Sequence, residues 1–293
     1  MIQPPFLQAG DRIGLFAPAR KLTENEALLA AKLLSEKGFE AVFAPNLLKE
    51  DNQFSGTDAE RAADLDSLLM DESIKAILAF RGGYGSVRLL PYLRKSYPTP
   101  KWIIGYSDIT VLHHWVNQKL GWMSMHGTMP VNMLQAGMER IQSKQSLVNA
   151  LLGNPETLIV PDTETKVQGE LCGGNLSVIY SLLGSDLQTI SNKKLLFLED
   201  LDEYLYHIDR MMQAINRSGI GPGSAAWLIG GMSDMRNNTI PFGKDARQII
   251  REAHEGLNSP LVFDIPAGHE PLNRTIIMGM EYRLDAGRLT PLL

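Results

Sequence analysis

Three residue types at the ends of apolar segments suggest chemistry in this chain: Ser107, the acid pair Glu199 and Asp200, and His269. Ser107 lies in WIIGYSDITVLHHW, residues 102–115. Trp102, Ile103 and Ile104 read as a buried strand, Gly105 permits a crowded backbone, and Thr110 through Trp115 reads as helix. Ser107 therefore stands at the tip of a strand–turn–helix, where a nucleophilic serine sits and where an ordinary helix N-cap also sits. A serine needs a base to attack near neutral pH. Histidine serves most often, and a carboxylate sets its tautomer. The order Ser, acid, His is that of the α/β-hydrolases. However, Gly105-Tyr106-Ser107-Asp108-Ile109 lacks the second glycine of G-x-S-x-G. A solvated acid and a loop histidine are the plain alternatives for Glu199/Asp200 and His269. His126 is a rival base, and His113 and His114 read as structural residues of a helix.

A second cluster is Arg81-Gly82-Gly83-Tyr84-Gly85, which follows the apolar run 74–80. It matches neither G-x-G-x-x-G nor G-x-x-x-x-G-K-[ST], so nucleotide binding has little support. Its glycines suit backbone N–H groups that crowd a developing oxyanion, and they suit a tight turn equally well. The N–H of Asp108, next after Ser107, would be the other oxyanion donor. No H-x-x-x-H or H-E-x-x-H spacing occurs, so a metal site is not expected. The single cysteine, Cys172, excludes an intrachain disulfide and a cysteine-based zinc site.

The elements that must position these groups alternate in type. DRIGLFAPA (11–19), EAVFAP (40–45), IKAILAF (74–80), residues 102–106 and WMSMHG (122–127) read as strands. Thr23 with Glu26, and Thr57 with Glu60, form capping boxes that open two intervening helices. Such alternation predicts a parallel sheet with crossover helices and a ligand site beyond the strand carboxyl ends. After a helix near 140–152 the polar stretch GNPETLIVPDTETKVQGE reads as a linker. Beyond it, GELCGGNLSVIYSLLG runs from a glycine pair into a helix. KKLLFLED, AAWLIGGM and PLVFDIPAGHE read as strands, YHIDRMMQAINRSG as an amphipathic helix, and RTIIMGMEYRLD as a final β segment. The expected fold is α/β, an N-terminal α/β domain with a parallel sheet plus a smaller, strand-rich C-terminal α/β domain. Boundaries are expected at 1–150, a linker at 151–168, and 169–293.

The 293 residues carry a net charge of −5, with 44% hydrophobic and 21% charged residues, an ordinary globular composition. No basic stripe points to nucleic acid. The start lacks a signal-peptide pattern, and no apolar run reaches the ~18 residues of a membrane helix. A soluble cytoplasmic protein without nucleic-acid or membrane partners is expected.

Taken in order, AFRGGYGSVRLL, IIGYSDITVLHHW, GELCGGNLSVIYSLLG, LLFLEDLDEYLYHIDRMM and DIPAGHE resemble the LD-carboxypeptidase family of serine peptidases. That family includes muramoyltetrapeptide carboxypeptidases and microcin C immunity hydrolases. The resemblance spans nearly the whole chain. It implies a catalytic triad of Ser107, Glu199 and His269, with oxyanion donors at Gly82 or Gly83 and at Asp108. It implies two α/β domains with the site between them, a homodimer, and no metal or organic cofactor. The implied activity is release of the terminal D-alanine from a muropeptide tetrapeptide in peptidoglycan recycling. Arg81, Tyr84 and Asn175 are expected to meet the substrate. Two departures border the expected site. Ala19 follows Pro18 where the family often has serine, and Asp202-Glu203-Tyr204-Leu205-Tyr206 replaces a Gly-Glu-x-Pro-Tyr type of element. The alternatives are a related hydrolase of a peptidyl-nucleotide amide, for which Trp115, Trp122 and Tyr204 would be candidate base clamps, and a non-catalytic muropeptide-binding protein.

Overall fold

The capping boxes set where the first helices begin. In a computed structural model of the chain, which describes residues 1–161 and 164–293, both boxes are closed in both directions. Thr23 Oγ1 accepts from Glu26 N–H and opens α1 (Glu24–Glu36); Thr57 Oγ1 accepts from Glu60 N–H and opens α2 (Asp58–Met70). These helices alternate with strands β1 (Arg12–Phe16), β2 (Glu40–Phe43) and β3 (Ile74–Ala79), followed by β4 (Trp102–Gly105) and β5 (Ser124–His126). The sheet order is β5-β4-β3-β1-β2, and each of these pairs is parallel. A sixth strand, Ile276–Met278, lies beside β5. Ile13, Leu15, Ile77, Ile103 and Ile104 are fully buried, as strands covered on both faces require. Because β3 and β4 are parallel neighbours, with Ile77 opposite Ile103, their carboxyl ends leave the sheet side by side. Those ends carry the glycine-rich loop and Ser107.

Two helical segments beside the site are not regular α-helix. After β3 the chain forms a 3₁₀ helix, Ser86–Tyr92, with Pro91 inside it, where no N–H is available for an α-helical bond. After β4 a 3₁₀ turn, Ser107–Ile109, precedes α3 (Thr110–Trp115), and a wider π turn, Val116–Leu120, ends at Gly121.

Lys101, just before β4, is buried, and its Nζ donates to the carbonyls of Leu68 (2.8 Å) and Asp71 (2.5 Å) at the end of α2. Burial pushes its pKa down to about 8 from 10.5. The folded chain therefore holds fewer protons than the unfolded chain between those values, and stability rises with pH there. In urea titrations the stability of wild type relative to Lys101→Met should rise with pH across that window.

The chain divides into two compact units, Met1–Glu156 with Arg274–Ile277, and Thr157–Asn273 with Met278–Leu293. The stretch expected as a linker, 151–168, is not uniformly irregular. It contains the end of the helix Met138–Leu151, then β6 (Leu158–Ile159), and the start of β7 (Val167–Asn175). Asp162 and Thr163 lie outside the described residues. A two-residue strand carries no periodic signature, and the return of 274–277 to the first unit is a tertiary event.

In the second unit β7 is the element the sequence hid, since its glycines mask a strand. Gly173 has φ +115°, and a Cβ there would lie 2.0 Å from the Phe197 carbonyl oxygen, so only glycine allows this approach. β7 pairs in parallel with β8 (Leu195–Leu201), β8 with β9 (Ala226–Ser233), and β9 with the short β10 (Leu261–Val262). The strand Glu281–Asp285 adds antiparallel to β7 and carries Arg288–Pro291 and then β6 on its far side. The helices Leu205–Arg217 and Ala246–His254 bury Ile208, Met211, Met212 and Ile249 in a core with Trp227. Among the described residues no helix is long and apolar enough to cross a membrane.

Candidate active site

In the first unit β4 ends at Gly105, and Ser107 adopts φ +65°, a left-handed conformation that costs a serine on the order of 1–3 kcal/mol. Gly105 makes the turn feasible: a Cβ on it would meet Ile109 Cγ1 at 2.7 Å. The glycine-rich loop runs directly against this turn. A Cβ on Gly82 would lie 3.1 Å from Ser107 Cβ, 3.3 Å from Ser107 Oγ and 3.5 Å from Asp108 N. Gly83, at φ +119°, packs so closely that a Cβ would meet Arg20 Nε at 2.8 Å. The loop thus brings Gly82 to the serine and to the N–H that follows it. Gly82→Ala should crowd both. The expected result is a fall in kcat on the order of 10- to 100-fold with an unchanged melting curve, read by steady-state kinetics and calorimetry.

Arg81 and Tyr84 differ in what they do. The Arg81 guanidinium bonds to Glu26 at the start of α1 and to the Lys21 carbonyl, so it fastens the loop to the scaffold. Tyr84 is exposed, its ring centroid 6.4 Å from that of Phe54. The histidines of this unit are core residues. His113 Nε2 lies 2.9 Å from the Gly105 carbonyl, and burial pushes its pKa down to about 3. His126 is fully buried, its ring 5.8 Å from Tyr106 and 6.3 Å from His113.

In the second unit β8 delivers Glu199 and Asp200. Both are buried although consecutive, as are all residues from Leu195 to Asp200, because β8 is a central parallel strand covered on both faces. Glu199 Oε2 lies 2.6 Å from His269 Nδ1. With a carboxylate on that side, Nδ1 carries the proton and donates it, which leaves the Nε2 lone pair for a base. Burial, the largest single influence, opposes charge on the His269 ring, but the Glu199 carboxylate and the smaller pulls of Asp200 and Glu270 together outweigh it, and the His269 pKa is raised above 6.5. His269 reaches Glu199 because of Gly268. That residue has φ +115°, and a Cβ on it would lie 2.9 Å from both Glu199 Cβ and Glu199 Oε2. Its N–H donates to Asn273 Oδ1 at 3.0 Å. Gly268→Ala should therefore separate the pair. Activity should drop at least tenfold and the His269 imidazole resonances should shift in an NMR pH titration.

Asp200 and Asn175 are engaged with each other. Asp200 Oδ1 accepts from Asn175 Nδ2 and Leu201 N–H, and Oδ2 accepts from Ser177 N–H, each at 2.9 Å. Asn175 Oδ1 caps the helix Leu176–Ser181 through Val178 N–H. Asn175, expected at the substrate, is thus also a helix cap and a partner of Asp200. Burial, then the neighbouring Glu199, pushes the Asp200 pKa up to about 7. Residues with no sequence signal also shape the site. Ser233 Oγ bonds to the His269 carbonyl (3.1 Å) and to Glu270 Oε1 (2.7 Å), and so ties the histidine loop to β9. Ser107 with Gly82, Gly83 and Asp108 belongs to the first unit; Glu199, His269 and Asn175 belong to the second.

The LD-carboxypeptidase N-terminal domain model matches residues 13–127, and the LD-carboxypeptidase C-terminal domain model matches residues 168–284. A relative in Streptomyces coelicolor that carries a carboxypeptidase name is 32% identical over 307 residues, covering 99% of this chain and 96% of its own. The chain belongs to the LD-carboxypeptidase family. The murein tetrapeptide carboxypeptidase of Pseudomonas aeruginosa is 26% identical over 293 residues, covering 95% of this chain and 94% of its own. Among solved structures, MccF in complex with glutamyl sulfamoyl guanosine superposes with a TM-score of 0.89 at 21% identity, over 99% of this chain and 98% of that one. The two-sheet α/β fold is therefore the fold of the family, and the protein is a member of a peptidase family.

Proposed function

We propose that the protein is a serine LD-carboxypeptidase that releases the terminal D-alanine of a muropeptide tetrapeptide. The observation that carries this reading is the 2.6 Å bond between His269 Nδ1 and the wholly buried Glu199. A buried carboxylate set on one nitrogen of a histidine prepares the other nitrogen as a base. In the proposed reaction His269 Nε2 takes the proton of Ser107 Oγ as the Oγ–C bond to the peptide carbonyl forms. The N–H groups of Gly82 or Gly83 and of Asp108 receive the oxyanion. His269 then gives the proton to the departing amine as the C–N bond breaks, and D-alanine leaves. Water attacks the ester with His269 again as base, and the tripeptide acid and Ser107 are regenerated. Murein peptide names among the relatives support the substrate class. The same reading places the protein in the cytoplasm, in peptidoglycan recycling, and as a homodimer, which light scattering would show as twice the chain mass.

The nucleophile has its own test. A fluorophosphonate should label Ser107 stoichiometrically, with a rate that falls as pH drops through the His269 pKa. Labelling elsewhere, or none in folded protein, would remove Ser107 from this role.

A second reading, hydrolysis of a peptidyl-nucleotide amide, is favoured by one observation. Trp115 and Trp122 are buried against Tyr97, but Tyr204 and Tyr206 are exposed with ring centroids 5.7 Å apart, a surface on which a base can stack. Comparing kcat/KM for the tetrapeptide with that for an aminoacyl sulfamoyl nucleoside separates the two.

A further inference from the structure

The far end of the glycine-rich loop is held by two buried charges. Asp108 is buried, and its Oδ2 accepts from Ser86 N–H at 2.8 Å and from Ser86 Oγ–H at 2.7 Å. Arg61, on the inward face of α2, is wholly buried. Its guanidinium donates to the carbonyls of Pro18, Gly85 (3.3 Å) and Gly56 (3.3 Å), and it pairs with Asp58. The fit around Gly85 is close: a Cβ there would lie 2.9 Å from Arg61 Nη1. Burying a guanidinium and a carboxylate is costly unless their bonds are made; both bonds of Asp108 Oδ2 go to Ser86, and one of the Arg61 bonds goes to Gly85.

That loop therefore touches the Ser107–Asp108 step twice. Near its start, Gly82 abuts Ser107 and the Asp108 N–H. At its end, Ser86 is gripped by the Asp108 side chain. We infer that Asp108 is a positioning residue, whose carboxylate grips Ser86 and so locks the loop, keeping the Gly82/Gly83 and Asp108 N–H groups at the spacing an oxyanion requires. Asp108 thereby acts twice, through its N–H at the reacting oxygen and through its carboxylate on the loop that supplies the partner donor. The inference rests on the serine mechanism proposed above. Transition-state stabilisation depends on such preorganisation far more than ground-state binding does.

The test compares wild type with Asp108→Asn, Ser86→Ala and Ser107→Ala. Asp108→Asn replaces one carboxylate oxygen by an N–H donor, so the side chain no longer accepts from Ser86 and from the Gly85 N–H together, and Ser86→Ala removes one donor from a small side chain with little risk to folding. For each, kcat and KM are measured on the tetrapeptide. So are the inhibition constants of a peptidyl boronic acid, which forms a tetrahedral adduct on serine, and of the tripeptide product. The expected result is a loss in kcat of about 100-fold for Asp108→Asn and about tenfold for Ser86→Ala, matched by equal losses in boronic acid affinity. KM and product affinity should stay near wild type, and the melting temperature should fall by no more than the loss of one or two buried hydrogen bonds gives. Unchanged kcat and boronic acid affinity in a folded Ser86→Ala or Asp108→Asn protein would overturn the inference. So would parallel losses in product affinity and melting temperature, which mark a merely structural role. A wild type that releases no D-alanine, or a Ser107→Ala protein that does, sinks the proposed function and this inference with it.

Discussion

Ser107→Ala should abolish D-alanine release, with kcat down on the order of 10⁴- to 10⁶-fold, while the protein folds and binds the tripeptide product as wild type does. The physical ground is local. Gly105, at φ +154°, and Ser107, at φ +65°, hold the serine in a turn that an ordinary N-cap does not need, since N-cap residues favour extended backbone. A strained serine flush against Gly82 and the Asp108 N–H is a sensible arrangement for a nucleophile and an expensive one for a cap. Alanine keeps the strain and removes only the oxygen, so the melting temperature should move little. Ser107→Gly should relieve the strain: equally inactive, but more stable than either. Paired kinetics and calorimetry on the two variants check both parts. A stable, active Ser107→Ala protein would remove Ser107 from the role of nucleophile.

Glu199→Gln should cost on the order of 10³- to 10⁴-fold in kcat, because an amide no longer fixes the Nδ1–H tautomer or stabilises the imidazolium. It should also move the pH profile. In wild type the His269 pKa is raised above 6.5: burial, the largest single influence, lowers it, but the Glu199 charge and hydrogen bond, with the charges of Asp200 and Glu270, together more than offset that. The base is active when neutral, so the acidic limb of the wild-type profile should be centred above pH 6.5. Without the Glu199 charge, burial is opposed only by the smaller pulls of Asp200 and Glu270, and the limb should shift to lower pH. Stability follows the same sign. The charged His269–Glu199 interaction is fully present below the unfolded histidine value of 6.5 and is lost as pH rises through the folded value. The stability advantage of wild type over Glu199→Gln should therefore shrink as pH rises through that window, as denaturant titrations at several pH values would show. A limb that stays in place would separate Glu199 from the titration of His269.

The parallel half of the fold was readable because β3 and β4 are continuous apolar runs and α1 and α2 open on capping boxes. β7 was not readable. Gly169, Gly173 and Gly174 remove the apolar alternation that marks a strand, and at Gly173 the missing Cβ lets β7 approach β8. The short β6 and the return of 274–277 to the first unit depend on pairings between residues far apart in sequence. Within the site, Ser107, Glu199 and His269 stood out by residue type at strand ends and by family motif. The bond between Glu199 and His269 spans 70 residues, and no spacing rule reaches that far. Arg61 and Ser86 carried no signal, since an arginine on a helix and a serine after a glycine are ordinary until burial shows what they hold.

The most direct measurement is D-alanine release from a muramyl tetrapeptide by the folded wild-type protein, followed by a coupled D-amino acid assay with and without a chelator. The account predicts one D-alanine per tetrapeptide, a tripeptide product, and no effect of the chelator. No D-alanine from folded wild type, or release that stops with the chelator, would contradict it.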